Sequence, residues 1–300
     1  EGHMAVKYAL GVDIGGTKVA VGLVDDTGHV AYSLKVPSNK ESSETLFQCV
    51  CTAIRELLNS QQLNIEDIAG IGVGLPGKVD VENGVAVFQN NIPWENFPVV
   101  KQLQEEFGNI PIKIDNDVKV AAYAEYRLLS LKAEDMFGYI TISTGIAATN
   151  IINNTILRGS GFAGEIGFMP VRSFGRTSGL EISCSGPAIE RQGKQMYGED
   201  LSTKAVFDNW RKGDITASAI IANARDGMVQ AIHNMICLLD PKIIVLGGSV
   251  AQNNPDFIED IKTVLGLSLH HEQKHILNNI IISKIDSGNN GIIGSAFLVQ

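Results

Sequence analysis

The sequence predicts an α/β protein with two domains, each built on a mixed β-sheet flanked by helices. Its 300 residues exceed the size at which one hydrophobic core usually stops growing, so two domains of about 100 to 200 residues each are expected. Short strand patterns alternate with turns and are followed by longer helical patterns, an order typical of this class. The same succession of patterns then appears a second time along the chain.

The beginning of the chain predicts an antiparallel meander, followed by a helix that leads back to a parallel strand. β-Branched runs separated by turn residues indicate strands at residues 8–14, 19–24 and 30–36. Apolar positions then follow helical spacing over residues 44–58, and a strand flanked by glycines follows at residues 71–75. The helix is therefore expected to cross over to a strand that runs parallel to the first.

A second copy of this plan begins near Phe137. Its strand patterns lie at residues 138–144, 149–152 and 155–157. At an offset of 130 residues, Leu10, Val12, Asp13 and Gly15 fall on Ile140, Ile142, Ser143 and Gly145. Further helices are predicted at residues 117–129, 187–197, 216–239, 255–265 and 291–299, and a buried strand at 243–246 ends in Gly247 and Gly248. Such self-similarity indicates a duplicated domain, and two facing domains leave a cleft.

Composition and charge exclude several classes of function. The net charge of −9 opposes nucleic-acid binding, which depends on clustered Lys and Arg. Apolar residues make up 44% of the chain, but their runs are too short for a membrane span of about 20 residues. The four cysteines lack CxxC spacing and a nearby histidine pattern, so reduced thiols in the cytoplasm are expected rather than a zinc site or disulfides.

The segment Asp13-Ile14-Gly15-Gly16-Thr17-Lys18 is the first candidate for chemistry. Two adjacent glycines permit the positive φ of a tight turn and leave backbone amides open to an anion such as phosphate. Asp13 is expected to hold Mg²⁺ through water, because a bare carboxylate repels phosphate. Thr17 adds a hydroxyl donor, and Lys18 is either a phosphate partner or a solvated side chain. The alternative is an ordinary hairpin, since Gly-Gly is a common hairpin turn.

Asn116 and Asp117 are the second candidate, at the predicted start of a helix. Free amides and the helix dipole favour an ionised Asp117, which could accept a hydroxyl proton during phosphoryl transfer. The alternative is that both residues are only helix caps.

Polar and acidic loop residues suggest how a sugar could be bound. Pro76 and Gly77 end the strand at residues 71–75, and Asn91 follows in a polar segment as a candidate for a hydroxyl contact, although turn formation explains it nearly as well. Glu165 and Glu181 supply two further carboxylates. Each of them alone would be read as a solvated loop acid.

Together these elements resemble the ROK family of bacterial sugar kinases and repressors, in the actin-like hexokinase superfamily, over nearly the whole chain. In that family the DxGGTK turn binds phosphate, and the Asn-Asp pair supplies a sugar contact and the catalytic base. The resemblance assigns Ser143-Thr144-Gly145 as a second phosphate turn, Gly247 and Gly248 as the turn near adenosine, and Glu165 and Glu181 as sugar-binding residues.

The resemblance implies two actin-like, ribonuclease-H-like domains with a cleft between them. The first would comprise residues 4–118 with 288–300, and the second residues 119–287. It also implies ATP and Mg²⁺ as cofactors, sugar and nucleotide as small-molecule partners, a homodimer that associates through the second domain, and a cytoplasmic location.

Two departures from the family pattern are informative. Residues 174–181 lack the family's zinc-binding cysteines, and Phe168 replaces a zinc-ligating histidine. We therefore expect no structural zinc and a loop held by packing. If that histidine faces the anomeric hydroxyl, the apolar ring of Phe168 suits a substituted C1 oxygen, which makes a β-glucoside a candidate substrate. The alternative is that Phe168 only fills the space left by the zinc loop.

The sequence therefore predicts ATP-dependent phosphorylation of a sugar hydroxyl, above all the C6 hydroxyl of glucose or of a β-glucoside. N-acetylmannosamine and fructose remain alternative substrates. A repressor is disfavoured because few residues precede Asp13, and a non-catalytic sugar-binding protein is disfavoured because both Asp13 and Asp117 are present.

Overall fold

The computed structural model describes residues 6–286 and 288–300. The chain divides into two compact units, one comprising residues up to 130 with residues 285–300, and the other comprising residues 131–284. The domain boundary expected after residue 118 is therefore wrong, because the helix that starts at Asp117 belongs to the first unit. The second expected boundary, after residue 287, likewise lies earlier, after residue 284. Residues 4, 5 and 287 of the expected domains lie outside the described residues.

The strands are β1 (Ala9–Ile14), β2 (Lys18–Val24), β3 (Val30–Pro37), β4 (Ile71–Leu75), β5 (Lys78–Asp80), β6 (Val85–Phe88), β7 (Ile112–Asn116), β8 (Phe137–Ile142), β9 (Ile146–Ile152), β10 (Thr155–Ile156), β11 (Pro170–Ser173), β12 (Arg176–Gly179), β13 (Ile243–Gly247) and β14 (Ile280–Ile282). The helices are α1 (Ser43–Ser60), α2 (Val99–Phe107), α3 (Asp117–Arg127), α4 (Leu180–Cys184), α5 (Gly186–Tyr197), α6 (Thr203–Arg211), α7 (Ile215–Leu239), α8 (Ser249–Asn253), α9 (Pro255–Ser268) and α10 (Asn290–Phe297). Short 3₁₀ helices lie at Ile65–Asp67, Ile166–Phe168 and His271–Asn278.

The sheet of the first unit confirms the predicted meander and crossover. Its strand order is β3-β2-β1-β4-β7. The first three strands pair in antiparallel fashion, whereas β4 and β7 run parallel to β1. In this register Asp13 lies opposite Gly74, and Gly74 lies opposite Asp115. The carboxyl ends of the parallel strands, where α/β proteins usually bind ligands, thus gather Asp13 and the Asn116-Asp117 segment at one edge.

Helix α10 lies directly on this sheet because glycines in β1 and β4 leave room for it. A Cβ at Gly11 would come within 2.0 Å of the Ile292 carbonyl oxygen, and one at Gly72 within 1.7 Å of the Ser295 carbonyl oxygen. Helix α3 packs beside α10, where a Cβ at Gly294 would lie 1.8 Å from the Val120 carbonyl oxygen, and Val120 also reaches Gly74 of β4. These contacts explain why α3 belongs to the first unit.

The second unit repeats the plan of the first. Its sheet has the order β10-β9-β8-β13-β14, with an antiparallel meander followed by two parallel strands. The duplication expected from the sequence is therefore present in the fold. The last residues of the two equivalent first strands, Ile14 and Ile142, are 128 positions apart, two fewer than the offset that the sequence suggested.

Each unit has its own hydrophobic core. In the first unit, α1 covers one face of the sheet with a stripe of buried residues that includes Phe47 and Ile54. In the second unit, α7 and α9 supply Ile221, Met228 and Ile261 to the core. No helix in the described part of the chain combines the length and apolarity that membrane crossing requires.

Candidate active site

The turn at Asp13 to Lys18, predicted as the first phosphate turn, joins β1 to β2 and is closed by backbone hydrogen bonds. The Gly15 amide donates to the Lys18 carbonyl oxygen at 2.9 Å. Ser38, which directly follows β3, stabilises the turn through two hydrogen bonds. Its hydroxyl donates to the Gly15 carbonyl oxygen at 2.8 Å, and its amide donates to the Thr17 carbonyl oxygen at 2.9 Å. Thr17 and Lys18 are exposed, so their side chains are available to a ligand.

The reason for the two glycines differs from the one expected. Neither Gly15 nor Gly16 has a positive φ. A Cβ at Gly16 would instead lie 3.1 Å from the Cβ of Asn91, and one at Gly15 would lie 3.3 Å from the Lys18 carbonyl oxygen. Close approach therefore favours glycine at both positions, and the approach at Gly16 brings the exposed Asn91 next to the turn.

Asp13 is a partly buried carboxylate at the end of β1. A Cβ added to Gly291, at the start of α10, would lie 2.4 Å from Asp13 Oδ2, so only glycine fits there. Burial and, to a smaller extent, the charge of Asp117 raise the pKa of Asp13 to about 6, although the charge of Lys35 opposes the rise. An ionised Asp13 is thus destabilised in the protein alone, and a nearby cation would relieve that destabilisation. The residue fits the expected water-mediated contact with Mg²⁺.

Asn116 holds two parts of the first unit together. Its Oδ1 accepts hydrogen bonds from the amides of Val118 at 3.0 Å and Lys119 at 3.4 Å, which caps α3. Its Nδ2 donates to the Gly77 carbonyl oxygen at 2.8 Å. Both polar atoms therefore have partners within the protein, so Asn116 fixes the Pro76-Gly77 loop against the start of α3.

Asp117 occupies the first turn of α3, as predicted from the sequence. It is partly buried, and its Oδ1 accepts a hydrogen bond from the Val118 amide at 2.9 Å. The amino-terminal end of a helix favours a negative charge. The structure thus places a carboxylate whose charge reaches Asp13 at the same edge of the sheet.

Gln89 belongs to this region and lies in the polar segment from which Asn91 was predicted as a hydroxyl contact. Its side chain is 7% exposed, and neither its Oε1 nor its Nε2 has a hydrogen-bond partner among the described residues. Gly77, with φ of +82°, packs so closely that a Cβ there would lie 2.2 Å from Gln89 Oε1. Buried amides usually have partners, so Gln89 can hold a water molecule or a ligand hydroxyl.

In the second unit, Glu181 joins two turns that the sequence had kept separate. Its Oε1 accepts a hydrogen bond from the Ile146 amide at 2.9 Å. A Cβ at Gly145 would lie 2.8 Å from this oxygen, and one at Gly167 would lie 3.1 Å from it. The carboxylate of Glu181 therefore lies between the second phosphate turn, Ser143-Thr144-Gly145, and the turn that carries Glu165.

The Glu165 turn is anchored on β9. Gly164 has a φ of +92°, and a Cβ there would lie 2.1 Å from the Ala148 carbonyl oxygen. The Ala148 amide donates to the Gly164 carbonyl oxygen at 2.8 Å, and the Phe168 amide donates to the Glu165 carbonyl oxygen at 3.2 Å. Glu165 is partly buried, whereas the side chain of Phe168 is 72% exposed. Phe168 thus does not fill space in the loop, contrary to the alternative considered from the sequence.

A hairpin replaces the cysteine cluster of the resembling family. Strands β11 and β12 meet at Phe174 and Gly175, which have φ of 48° and 79°. Helix α7 holds the hairpin: Asn223 Oδ1 accepts from the Phe174 amide at 2.8 Å, and Gln230 Oε1 accepts from the Arg172 amide at 3.0 Å. Hydrogen bonds from α7, and not packing alone, therefore hold the segment that leads into Glu181. Among the described residues, no three His, Cys, Asp or Glu side chains are placed to share a metal ion.

A cavity of about 630 Å³ adjoins the second phosphate turn. Ser143 and Thr144 lie at one end of it, and the remaining wall comes from α5, α6 and α8. Gly247 and Gly248 directly precede Ser249, which forms part of that wall. Gly248 has a φ of +88°, and a Cβ added to it would lie 2.4 Å from the Ile142 carbonyl oxygen. The volume suits a nucleoside-sized ligand.

Helix α6 contributes to this cavity through residues that no motif indicated. Phe207 and Arg211 line it. Arg211 makes a two-pronged ion pair with Asp256, at 2.7 and 2.9 Å, and donates to Asn254 Oδ1 at 2.6 Å. Because Arg211 is held in this way, its position in the wall of the cavity is fixed.

The chain is similar to known proteins over most of its length. The family described as the ROK family matches residues 9–300. A glucokinase of Halalkalibacterium halodurans is 29% identical over 283 residues, which cover 86% of this chain and 85% of that protein. An N-acetylmannosamine kinase of Vibrio vulnificus is 30% identical over 251 residues, covering 80% of this chain and 82% of that protein. The crystal structure of a ROK family glucokinase from Streptomyces griseus, in complex with glucose and AMPPNP, superimposes with a TM-score of 0.74 at 25% identity, covering 97% of this chain and 98% of that one.

Proposed function

Because the chain belongs to the ROK family, we propose that it is an ATP-dependent sugar kinase that phosphorylates the C6 hydroxyl of glucose or of a β-glucoside. The products would be the sugar 6-phosphate and ADP. The relatives named glucokinase and N-acetylmannosamine kinase support the reaction class. The preference for glucose or its β-glucosides is the finer part of the proposal, and it depends on the residues described below.

The observation that carries the proposal is that Asp13 and Asp117 lie close enough to interact electrostatically beside the predicted phosphate turn. The charge of Asp117 contributes to the raised pKa of Asp13, so the two carboxylates share one electrostatic environment. Phosphoryl transfer requires an acceptor for the hydroxyl proton and a means of neutralising phosphate charge. These two carboxylates meet the two requirements separately, with Asp117 as base and Asp13 as the group that faces the metal.

In the proposed reaction, Asp117 accepts the proton of the C6 hydroxyl as the hydroxyl oxygen forms a bond to the γ-phosphorus of ATP. The bond between that phosphorus and the β,γ-bridging oxygen breaks, and ADP leaves. Mg²⁺, bound with ATP and held through water by Asp13, would neutralise phosphate charge. The amides of Gly15 and Gly16, with the Thr17 hydroxyl and the Lys18 ammonium group, would contact phosphate oxygens.

The remaining residues of the first unit would position the sugar. Asn116 fixes the Pro76-Gly77 loop through its hydrogen bond to Gly77, and one proton of its amide group remains available for a sugar hydroxyl. Asn91 lies against Gly16 and is exposed, which suits a contact with a hydroxyl near the phosphate.

The second unit would bind both substrates through adjacent features. Ser143, Thr144 and Gly145 would contact phosphate, while the cavity next to them would accept adenosine near Gly247 and Gly248. Glu165 and Glu181 would accept hydrogen bonds from sugar hydroxyls. The exposed ring of Phe168 beside them favours a sugar whose C1 oxygen carries a substituent, which is the basis for including β-glucosides.

The proposed assembly and location are a homodimer in the cytoplasm. The family resemblance supports the dimer. All four cysteines lie in the described part of the chain and are free, which is consistent with a reducing compartment.

A substrate panel tests the proposal. The protein is mixed with ATP and Mg²⁺ and with glucose, methyl β-glucoside, fructose or N-acetylmannosamine, and ADP release is coupled to an optical readout. Release with glucose or the β-glucoside is expected. Release with N-acetylmannosamine alone would establish the alternative that the 30% identical relative favours. The absence of release with every sugar would contradict the kinase and favour a sugar-binding protein without catalysis.

A further inference from the structure

Two phenylalanines form an exposed aromatic pair in the second unit. Phe162 is 65% exposed and Phe168 is 72% exposed, and their ring centroids are 5.5 Å apart with an angle of 44° between the planes. Burying a phenylalanine side chain is normally favourable. Grouped aromatic side chains that stay exposed commonly mark a contact surface.

The pair lies on the same turn as Glu165. Phe162, Glu165 and Phe168 follow one another at intervals of three residues. The Glu165 amide donates to the Phe162 carbonyl oxygen at 3.4 Å, and the Phe168 amide donates to the Glu165 carbonyl oxygen at 3.2 Å. Both rings therefore belong to the turn that carries Glu165, with their centroids 5.5 Å apart.

The second acidic residue is close to the same pair. Gly167 directly precedes Phe168, and a Cβ on Gly167 would lie 3.1 Å from Glu181 Oε1. The turn cannot move away from β9 without breaking its anchor, because Gly164 packs against the Ala148 carbonyl oxygen. A rigid turn thus presents an apolar aromatic surface next to two groups that accept hydrogen bonds.

This combination matches the chemistry of a sugar ring that carries a second ring. Sugar hydroxyls point outward around the ring and suit carboxylate acceptors, whereas the C–H faces of a sugar, or the face of an aryl group, suit an aromatic surface. A free monosaccharide bound by Glu165 and Glu181 has no further ring to place on the phenylalanines. A β-glucoside with a ring on its C1 oxygen does.

We propose that Phe162 and Phe168 form a binding platform for the ring attached to the C1 oxygen of a β-glucoside. The ring is either a second sugar or an aryl group, both of which offer an apolar face. The inference rests on the proposed sugar kinase function and specifies its substrate class. It assigns to Phe162 a role that no sequence motif indicated.

Kinetics with matched acceptors test the platform. ADP release is measured with glucose, methyl β-glucoside, phenyl β-glucoside and cellobiose, for the wild-type protein and for Phe162→Ala, Phe168→Ala and Phe168→Leu. An aromatic contact contributes enough to change kcat/KM by about threefold to tenfold. We expect the wild-type protein to prefer the two ring-bearing acceptors to methyl β-glucoside by about tenfold. In each alanine variant the ratio of kcat/KM for the ring-bearing acceptors to that for methyl β-glucoside should fall most of the way to one, and in the leucine variant about half as far on a logarithmic scale.

Phe174→Ala is the matched control, because Phe174 is an exposed phenylalanine of the same unit, at 47%, that lies in the β11–β12 turn. It should leave all four values unchanged. Preference for cellobiose over phenyl β-glucoside would identify a sugar as the second ring, and the reverse would identify an aryl group. Either result supports the platform.

Three results would overturn the inference. The wild-type protein could show no preference for ring-bearing acceptors, the alanine variants could lower activity on all acceptors equally, or they could change the oligomeric state seen by sedimentation instead of the kinetics. Calorimetric titration with phenyl β-glucoside separates this inference from the kinase proposal. Binding that weakens in Phe162→Ala without any ADP release would retain the platform and reject the kinase, whereas ADP release without dependence on either phenylalanine would do the opposite.

Discussion

Replacing Asp13 by asparagine should stabilise the protein without ligands and at the same time abolish its activity. Burial, together with a smaller contribution from the charge of Asp117, raises the pKa of Asp13 from 3.8 to about 6. The folded protein therefore binds this proton more tightly than the unfolded chain does. Asparagine resembles the protonated carboxyl group in shape and removes the charge that the fold disfavours.

The sign and size of the effect follow from the pKa difference. Stability associated with the protonated form is fully present below the unfolded pKa of 3.8 and is lost as the pH rises through about 6. At about 1.4 kcal/mol per pKa unit, the wild-type protein should lose up to about 3 kcal/mol of unfolding free energy over this window. The asparagine variant has no such loss, so its advantage should grow with pH and level off above about pH 7.

Thermal unfolding between about pH 4 and pH 8, without nucleotide or Mg²⁺, measures this difference. A change of 1 kcal/mol shifts the Tm of a domain of 150 to 250 residues by about 2 to 4 °C, so the variant should melt roughly 6 to 12 °C higher at pH 8 and at nearly the same temperature at pH 4. Adding ATP and Mg²⁺ should raise the Tm of the wild-type protein more than that of the variant.

Asp25 offers a matched control in the same unit. Although burial opposes it, hydrogen bonds from Thr27 and His29 hold the pKa of Asp25 below its usual value. Asp25→Asn should therefore lower stability slightly above about pH 4 rather than raise it. Parallel pH profiles for the wild-type protein and Asp13→Asn, or a lower Tm for Asp13→Asn at pH 8, would refute the description of Asp13 as a buried, destabilised charge.

Three further substitutions probe other parts of the site. Glu181→Gln keeps an acceptor for the Ile146 amide. It should raise the sugar KM about tenfold with little change in the ATP KM, because a hydrogen bond to a charged group contributes about 1.5 to 3 kcal/mol. An unchanged sugar KM in steady-state assays would exclude Glu181 from sugar binding. Asn223→Ala should lower the Tm by a few degrees, because it removes the hydrogen bond from the Phe174 amide of the hairpin. A chelator should leave the Tm of both the wild-type protein and this variant unchanged, and a chelator-dependent drop in Tm would reveal a structural metal instead. Arg211→Ala should raise the ATP KM several-fold and leave sugar binding unchanged, and an equal change in both titrations would place Arg211 outside the nucleotide cavity.

Local patterns were sufficient to predict the scaffold. Strands and long helices have a period that the sequence displays, and every predicted element is present with bounds shifted by three residues or fewer. Asp117 was found in the same way, because an Asn-Asp pair before an amphipathic stretch indicates a helix start, and Asn116 does cap α3. Such signals depend only on residues close together in the chain.

Features that depend on distant residues were not predictable in this way. The first unit includes α3 because Gly294, from the end of the chain, allows α10 to pack against Val120. In the phosphate turn, Gly16 packs closely against Asn91 and Gly15 against the Lys18 carbonyl oxygen, and neither glycine has a positive φ. The hairpin is held by Asn223 from α7, which lies 49 residues away along the chain.

The site shows the same division. Motifs predicted both phosphate turns, the acidic residues and the polar segment that contains Gln89, but the burial of the Gln89 amide and its lack of partners became visible only in the structure. They also gave no signal for the α6 wall of the cavity, formed in part by Phe207 and Arg211. The sequence also does not show that the Phe168 side chain is exposed, so it could not exclude that Phe168 only fills space in the loop.

The turnover of Asp117→Asn tests the central claim most directly. Asparagine can still accept the hydrogen bond that Asp117 Oδ1 receives from the Val118 amide, so the start of α3 should persist, but it cannot accept the sugar proton. With ATP, Mg²⁺ and the best sugar of the panel, kcat should fall at least about a hundredfold, while the calorimetric Kd for the sugar should stay within a few-fold of the wild-type value. Turnover at the wild-type rate would contradict the assignment of Asp117 as the base, and with it the proposed mechanism.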